Sequence, residues 1–491
     1  MNKKFCHSAA NVLVIFCLVI FASQCFAQSS SVSAKEASDS SLKYLRIVNG
    51  VYNYLQQNYV DEVDPRVLYE GAMKGMLSAL GDPYTMYLDS DSLRELTDTT
   101  AGNFGGLGIN ITKLLLNTPE KPAYVEVVSP IENTPAARAG IQAGDYITAV
   151  DGTATADISM DDVLKKLRGP AGTSVELSIL RGKKIEFKKT LERAIIEVPT
   201  VKYIMIDTIG YLKIIQFTPD TPKRVQEGID FFKQKKFTAM IIDLRNNPGG
   251  LITSVADVAD KFIDSGTIVS TKSRLDYQNT EFTASPEKTT VPRNTPIVVL
   301  INKGSASASE ILSGALKDDH LAYLVGQNTY GKGSVQQMLP LSESDGIKMT
   351  MARYYTPSDT NIDKVGIPPD REVLFPVLSE AEEKAYSDLI KADVITAYVD
   401  AHPDMSEKDI ASYAAVLQKT YKLDLRTLRK VIRLETERLK TAPLYDLDYD
   451  IQMNAALSIL RKEDFVSLMK STKTLKELQK TSAAAGKKNA Q

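Results

Sequence analysis

Ile297-Val-Val-Leu-Ile-Asn-Lys-Gly-Ser-Ala-Ser-Ala-Ser-Glu310 runs from an apolar stretch into a turn of small residues, and Ile311-Leu-Ser-Gly-Ala-Leu316 follows it. This reads as a strand, a tight turn and a helix start. The same alternation surrounds it. Tyr211-Leu-Lys-Ile-Ile215 precedes a helical pattern through Val225, Ile229 and Phe232, and Ala239-Met-Ile-Ile-Asp-Leu244 precedes another from Leu251 to Ile263. Further strands are expected at Thr267-Ile-Val-Ser270 and Tyr323-Leu-Val325. Strand and helix in alternation predict an α/β layer with a mostly parallel core.

The turn also carries chemistry. A serine hydroxyl at a helix N-terminus faces unpaired N–H groups and the positive end of the dipole, which favour a developing oxyanion. Serine needs a base, and no histidine is placed by sequence to serve. Tyr330-Gly-Lys-Gly-Ser-Val-Gln336 offers Lys332 between two glycines. To act as a base near pH 7 its amine must fall from an ordinary ~10.4, a desolvation cost of about 4 kcal/mol for the charged form. Gln336 is able to orient the amine without adding charge, and serine–lysine pairs are a known nucleophile–base arrangement.

Plainer readings compete. Ser307 with Glu310 fits a capping box, Ser305 and Ser309 are equally available hydroxyls, and Pro248-Gly-Gly250 fits an ordinary turn. Gly326-Gln-Asn-Thr-Tyr-Gly-Lys-Gly333 falls one residue short of a phosphate loop, and Gly333 has no hydroxyl for magnesium. The nucleotide reading fails there.

Upstream, Phe104-Gly-Gly-Leu-Gly-Ile-Asn-Ile111 opens a unit of short strands that includes Tyr124-Val-Glu-Val-Val128, Ile147-Thr-Ala-Val150 and Val175-Glu-Leu-Ser-Ile179, with a helix from Met160 to Leu167. The pattern resembles a PDZ domain, with Gly106, Leu107, Gly108 and Ile109 matching its carboxylate-binding loop. Successive N–H groups in a glycine turn form a nest for a terminal carboxylate, and the next strand pairs with the peptide.

These motifs together resemble the carboxyl-terminal processing peptidases, or tail-specific proteases, from about Leu42 to about Leu374. The resemblance implies Ser307 as nucleophile, Lys332 as general base and Gln336 as the orienting residue. Asp243-Leu-Arg-Asn-Asn-Pro-Gly-Gly250 matches a third motif of that family, so Gly249 or Gly250 with Ala308 is expected to supply the oxyanion hole. The implied fold is α/β and multidomain: a PDZ domain and a spiral of ββα units related to the crotonase and Clp-protease cores. It implies polypeptide substrates recognised by their C-termini or unfolded segments, no metal or other cofactor, and a homodimer and a regulatory adaptor as further partners. A PDZ adaptor without catalysis is the alternative reading, and a crotonase-type acyl-thioester enzyme the third.

The 491 residues, 43% hydrophobic and 24% charged, suit about two to four globular domains. A net charge of −2 leaves no basic footprint for nucleic acid. Met1-Asn-Lys-Lys4, the apolar run Val12 to Ala22 and Cys25-Phe-Ala27 read as an export signal over 1–27, pointing to the periplasm, with an uncleaved membrane anchor as the alternative. All three cysteines lie within it, so disulfides, thiol nucleophiles and thiolate metal sites are not expected in the exported chain. Losing Lys3 and Lys4 leaves 57 basic against 61 acidic residues, a net charge of −4. The remaining expectations are a disordered leader over 28–41, a helical region over 42–100, a PDZ domain over 101–192, a peptidase core over 193–376, a helical appendage over 377–478 and a disordered tail over 479–491. The helical stripe Leu45, Val48, Tyr52, Leu55 and Tyr59 reads as simple packing, and His320 after Asp318 and Asp319 as a solvated helix end.

Overall fold

A computed structural model of the chain describes residues 38–113, 122–131, 134–142, 144–182, 185–197, 199–376, 378–437 and 444–488. The expected export signal lies outside them, as does the expected leader before Ser38. The described residues from Ser38 to Tyr87 belong to one compact unit and the described residues from Leu88 onward to a second. Among the described residues no helix is long and apolar enough to cross a membrane.

The first unit holds α1 (Ser38–Asn58) and α2 (Pro65–Ser78). α1 therefore begins inside the stretch expected to be a disordered spacer. Asp64 caps α2 by accepting the Arg66 N–H at 2.8 Å, and Pro65 takes the first helical position, where a missing N–H costs nothing. The apolar stripe of α1 is not packed away: Leu45 is 60% and Val48 51% exposed. One helix pair offers too few neighbours to cover it.

In the second unit, α3 (Ser90–Ala101) leads into β1 (Asn103–Gly106), β2 (Ile109–Lys113), β3 (Val125–Pro130), α4 (Pro135–Arg138), β4 (Asp145–Val150), α5 (Met160–Leu167), β5 (Ser174–Arg181), β6 (Ile185–Glu192) and β7 (Ala194–Glu197). Strands β2 to β6 form one antiparallel sheet in chain order. Its alternate residues Val125, Val127, Ile147, Leu177 and Ile179 pack with Val163 and Leu167 of α5. β1 instead pairs with β7, so strand pairing in this region extends to Glu197, past the expected boundary at 192.

The following layer contains β8 (Val201–Ile206), β9 (Ile209–Ile214), α6 (Thr221–Gln234), β10 (Ala239–Asp243), α7 (Ile252–Ala259), β11 (Thr267–Lys272), β12 (Thr280–Thr283), β13 (Ile297–Ile301), α8 (Ala308–Asp318), β14 (Tyr323–Gly326), β15 (Ser334–Pro340), β16 (Gly346–Tyr355) and β17 (Arg371–Glu372). Six of these strands lie in the order β8-β9-β10-β13-β14-β17, antiparallel at β8–β9 and parallel thereafter. β11 pairs antiparallel with β12 and β16, and β16 with β15.

Both faces of the parallel sheet are buried at its centre, which is why β10, β13 and β14 are almost entirely apolar. Leu212, Ile242, Val299 and Leu324 point to α6, α7 and α8. Tyr211, Ile241, Val298 and Val325 point the other way, onto Met453, Ala456, Leu457 and Ile459 of α13 (Ile451–Lys462). The region expected to be an appendage thus divides. α9 (Glu380–Lys391), α10 (Val394–Ala401), α11 (Glu407–Tyr421) and α12 (Leu425–Thr436) enclose a core of their own. α13 covers the parallel sheet, followed by α14 (Phe465–Ser471) and α15 (Leu475–Lys488).

α15 corrects the expected disordered tail, since its helix runs on to Lys488. Leu475 is buried in the core around α8, and its N–H bonds the Asp318 carboxylate at 2.7 Å, so the helix is nucleated by tertiary contact.

Candidate active site

Ser307 occupies the turn between β13 and α8 with φ 54° and ψ −115°. A non-glycine residue takes that conformation only when its surroundings dictate it. Here two loops interlock. Asn246 and Asn302 exchange hydrogen bonds, Asn302 Nδ2 to Asn246 Oδ1 and Asn246 N–H to Asn302 Oδ1, both at 2.9 Å. The Ala306 N–H donates to Asn247 O at 3.0 Å.

The three serines of the motif separate by what they touch. Ser305 is fully buried and donates to Leu244 O at 2.8 Å. Ser309 is fully buried and donates to Asn247 O at 3.0 Å. Both hydroxyls serve the backbone of the loop after β10. Ser307 alone of the three is partly exposed at the surface.

Glu310 has a larger part than the capping reading gives it. Its carboxylate, with no exposed surface, accepts the N–H of Ser307 at 2.9 Å, of Gly331 at 2.7 Å and of Lys332 at 2.9 Å, and the Thr329 hydroxyl at 2.5 Å. Burial pushes its pKa above the ordinary carboxylate value, while these donors pull the other way. One buried anion therefore joins the turn of Ser307 to the loop of Lys332. The sequence offered for it only the ordinary mark of a helix cap, an acid three residues after a serine.

Lys332 is half-buried. Its glycine neighbours are needed for close approach. A Cβ on Gly331 would lie 3.0 Å from the N atoms of Val365 and Gly366, and one on Gly333 would lie 2.7 Å from Asp363 N. Gln336, on β15, donates to Ser334 Oγ at 2.9 Å and to Thr350 Oγ1 at 3.3 Å.

Gly249 lies against the serine: a Cβ there would fall 2.8 Å from Ser307 Cβ and 2.9 Å from Ala308 N, at a φ of 106°. Its N–H is engaged by Asn247 Oδ1 at 2.9 Å. Gly250 is pressed on Phe217, whose carbonyl oxygen would be 2.0 Å from an added Cβ. In the first turn of α8, Ser309 N–H bonds Ala306 O, and the N–H groups of Glu310 and Ile311 bond Ser307 O. Ala308 N–H is the remaining donor of that turn, directed along the helix end beside Ser307. Of the two glycines, Gly249 is the one packed on Ser307 and Ala308, with its own N–H taken up by Asn247, while Gly250 packs on Phe217.

In the antiparallel-sheet domain, Gly106 ends β1 and Ile109 starts β2, with Leu107 and Gly108 between them. Leu107 is buried in the domain core. Gly108 has φ 74°, and a Cβ there would meet Thr134 at 2.4 Å. Asp318, Asp319 and His320 do not converge. Asp318 bonds the Thr356 hydroxyl and the Ser358 and Leu475 N–H groups, while His320 Nδ1 lies 2.7 Å from Thr472 Oγ1. Among the described residues no group of three His, Cys, Asp or Glu side chains is arranged to hold a metal.

A PDZ fold joined to a mixed α/β core with a serine at a strained strand–helix turn defines a class, the PDZ-bearing serine peptidases. Comparison with known proteins narrows it. Residues 208–373 match the model of peptidase family S41, residues 126–181 that of a PDZ domain, and residues 13–92 that described as the activating protease CtpB N-terminal domain. A carboxy-terminal-processing protease of Bartonella bacilliformis is 38% identical over 377 residues, 75% of this chain and 82% of that one. A carboxyl-terminal-processing protease of Synechocystis is 37% identical over 65% of this chain and 74% of that one. The carboxy-terminal processing protease CtpA of Bacillus subtilis is 29% identical over 93% and 87%. The solved photosystem II D1 C-terminal processing protease is 29% identical, with a TM-score of 0.41 over 67% of this chain and 92% of that one. The chain belongs to the carboxy-terminal-processing protease family, and it is a serine-type peptidase.

Proposed function

We propose that the chain is an exported endopeptidase in which Ser307 is the nucleophile and Lys332 its general base. Neutral Lys332 takes the hydroxyl proton as Ser307 Oγ attacks the peptide carbonyl, the N–H groups of Gly250 and Ala308 hold the oxyanion, and the protonated amine then returns the proton to the departing amine. The acyl-enzyme that results is hydrolysed by water activated at the same lysine. Gln336 orients the amine once substrate is bound. The observation that carries this reading is the pair of 2.9 Å bonds from the Ser307 and Lys332 N–H groups to the single carboxylate of Glu310.

In this reading the turn from Gly106 to Ile109 receives polypeptide C-termini or unfolded segments and delivers them to the peptidase core. The signal over residues 1–27 directs export to the periplasm. The exposed stripe of α1 supports a homodimer, and an adaptor is a further candidate partner. The test is hydrolysis of unfolded casein, with labelling by a fluorophosphonate probe. Wild type is expected to turn over and to be labelled at Ser307, and Ser307→Ala and Lys332→Ala to lose at least 10³-fold in kcat. Full activity in either variant removes the mechanism, and peptide binding without turnover in wild type would support the adaptor reading.

A further inference from the structure

Building on the serine-peptidase reading, we propose that Asp450, at the head of α13, is a positioning residue for the oxyanion loop, so that the C-terminal helices complete the active site.

The residue it grips is Arg245, which directly precedes Asn246-Asn-Pro-Gly-Gly250. The Arg245 side chain is 13% exposed and is held by two carboxylates at once. Nε and Nη2 donate to Asp243 at 2.9 and 2.7 Å. Nη1 and Nη2 lie 2.8 Å from the two oxygens of Asp450, and Nη1 also reaches Gln452 Oε1 at 3.2 Å. The Tyr211 hydroxyl donates to Asp243 at 2.8 Å, and Gln452 Nε2 to Val373 O at 2.8 Å.

Charge balance does not require Asp450, because Asp243 already neutralises the guanidinium. Nor does the helix cap require a charge: Asp450 Oδ1 accepts the Met453 N–H at 2.9 Å, and Asn or Ser does that equally well. A second carboxylate on one buried guanidinium instead fixes the plane and tilt of a rigid fork.

That orientation passes to the nucleophile within a few residues. Leu244 O accepts the Ser305 hydroxyl, Asn246 N–H bonds Asn302 Oδ1, and Asn247 O accepts the Ala306 N–H and the Ser309 hydroxyl. Arg245 stands between these anchors, so a shift of its side chain moves both walls around Ser307. A misplacement of about 1 Å is enough to cost on the order of 10²-fold in rate.

The test uses the full chain with Asp450→Asn and Asp450→Ser, each of which keeps a capping oxygen. Fluorophosphonate acylation of Ser307, kcat and KM on casein, and the melting temperature are measured together. Acylation and kcat are expected to fall at least tenfold with KM within about twofold and the fold intact. Adding Arg245→Lys to Asp450→Asn is expected to slow the enzyme no further than the slower single variant, because both act through one contact. Asp448→Asn, whose exposed carboxylate pairs with Arg433 nearby, serves as the control with wild-type rates. Wild-type acylation in both Asp450 variants, or losses that only follow a fall in folded fraction, overturns the proposal. Wild-type protein that takes no label at all overturns the peptidase reading beneath it, which is a different result.

Discussion

Ser307 stores strain where chemistry is expected. With φ at 54° a side chain costs roughly 1–3 kcal/mol relative to a relaxed backbone, held in place by Asn247, Glu310 and the two buried serines. Ser307→Gly is therefore expected to raise the unfolding free energy by about 1 kcal/mol in urea titrations while ending acylation; a destabilised variant would mean that the turn is unstrained. Asp319 stores a second cost. Its Oδ2 is buried without a hydrogen-bond partner among the described residues, and burial, the largest influence, pushes its pKa from 3.8 to about 6. Between those values the folded chain keeps a proton that the unfolded chain has shed, so this contribution to stability is lost as pH rises through that window. Asp319→Asn is expected to be nearly neutral in stability at pH 4 and, after allowing for solvent screening, stabilising by about 1 kcal/mol at pH 7.5. Equal effects at both pH values would rule this out. Of these residues, Ser307 was set apart from Ser305 and Ser309 only by the family resemblance, and Lys332 and the glycines stood out in the sequence through their local pattern. Glu310 did not, because an acid three residues after a serine is also the ordinary mark of a helix cap.

At the scale of elements, β13 is the clearest case. Its run Ile297-Val-Val-Leu-Ile301 has no polar alternation, and the structure supplies the reason: Ile297, Val299 and Ile301 face one core cluster, Val298 and Leu300 another. The strands and the helices between them were legible from this rhythm. β6 was not, since Ile185-Glu-Phe-Lys-Lys-Thr-Leu-Glu192 is polar on most of its surface and owes its strand to pairing with β5. The end of α15 from residue 479 reads as a tail because it is rich in Ala, Lys and Gly, and the helix is anchored by Leu475, with Leu478 packed on the same core and Gln479 Nε2 donating to Asn361 O. Should α13 be part of the sheet's packing, Leu457→Ala will cost about 2–4 kcal/mol in chemical denaturation, as in any closed core. A cost near zero would return α13 to the status of an appendage.

At the scale of the whole molecule, the consequence falls on truncation. A chain ending at residue 376 keeps the three sequence motifs but lacks α13, leaving Tyr211, Ile241, Val298 and Val325 open to water. It is expected to aggregate on expression, while the full chain stays soluble. A soluble truncated form with a cooperative melt would refute this. The sequence by itself determined the strand–helix rhythm, the PDZ-like turn and the serine, lysine and glycine motifs, because each is written in neighbouring residues with restrictive backbone or chemical demands. Tertiary structure alone decided which of three serines is left partly exposed, which carboxylate binds the two motifs to each other, and which distant helix closes the second face of the sheet. Those outcomes depend on contacts between segments far apart in the chain, such as Asp450 with Arg245, and no local pattern fixes which segments meet.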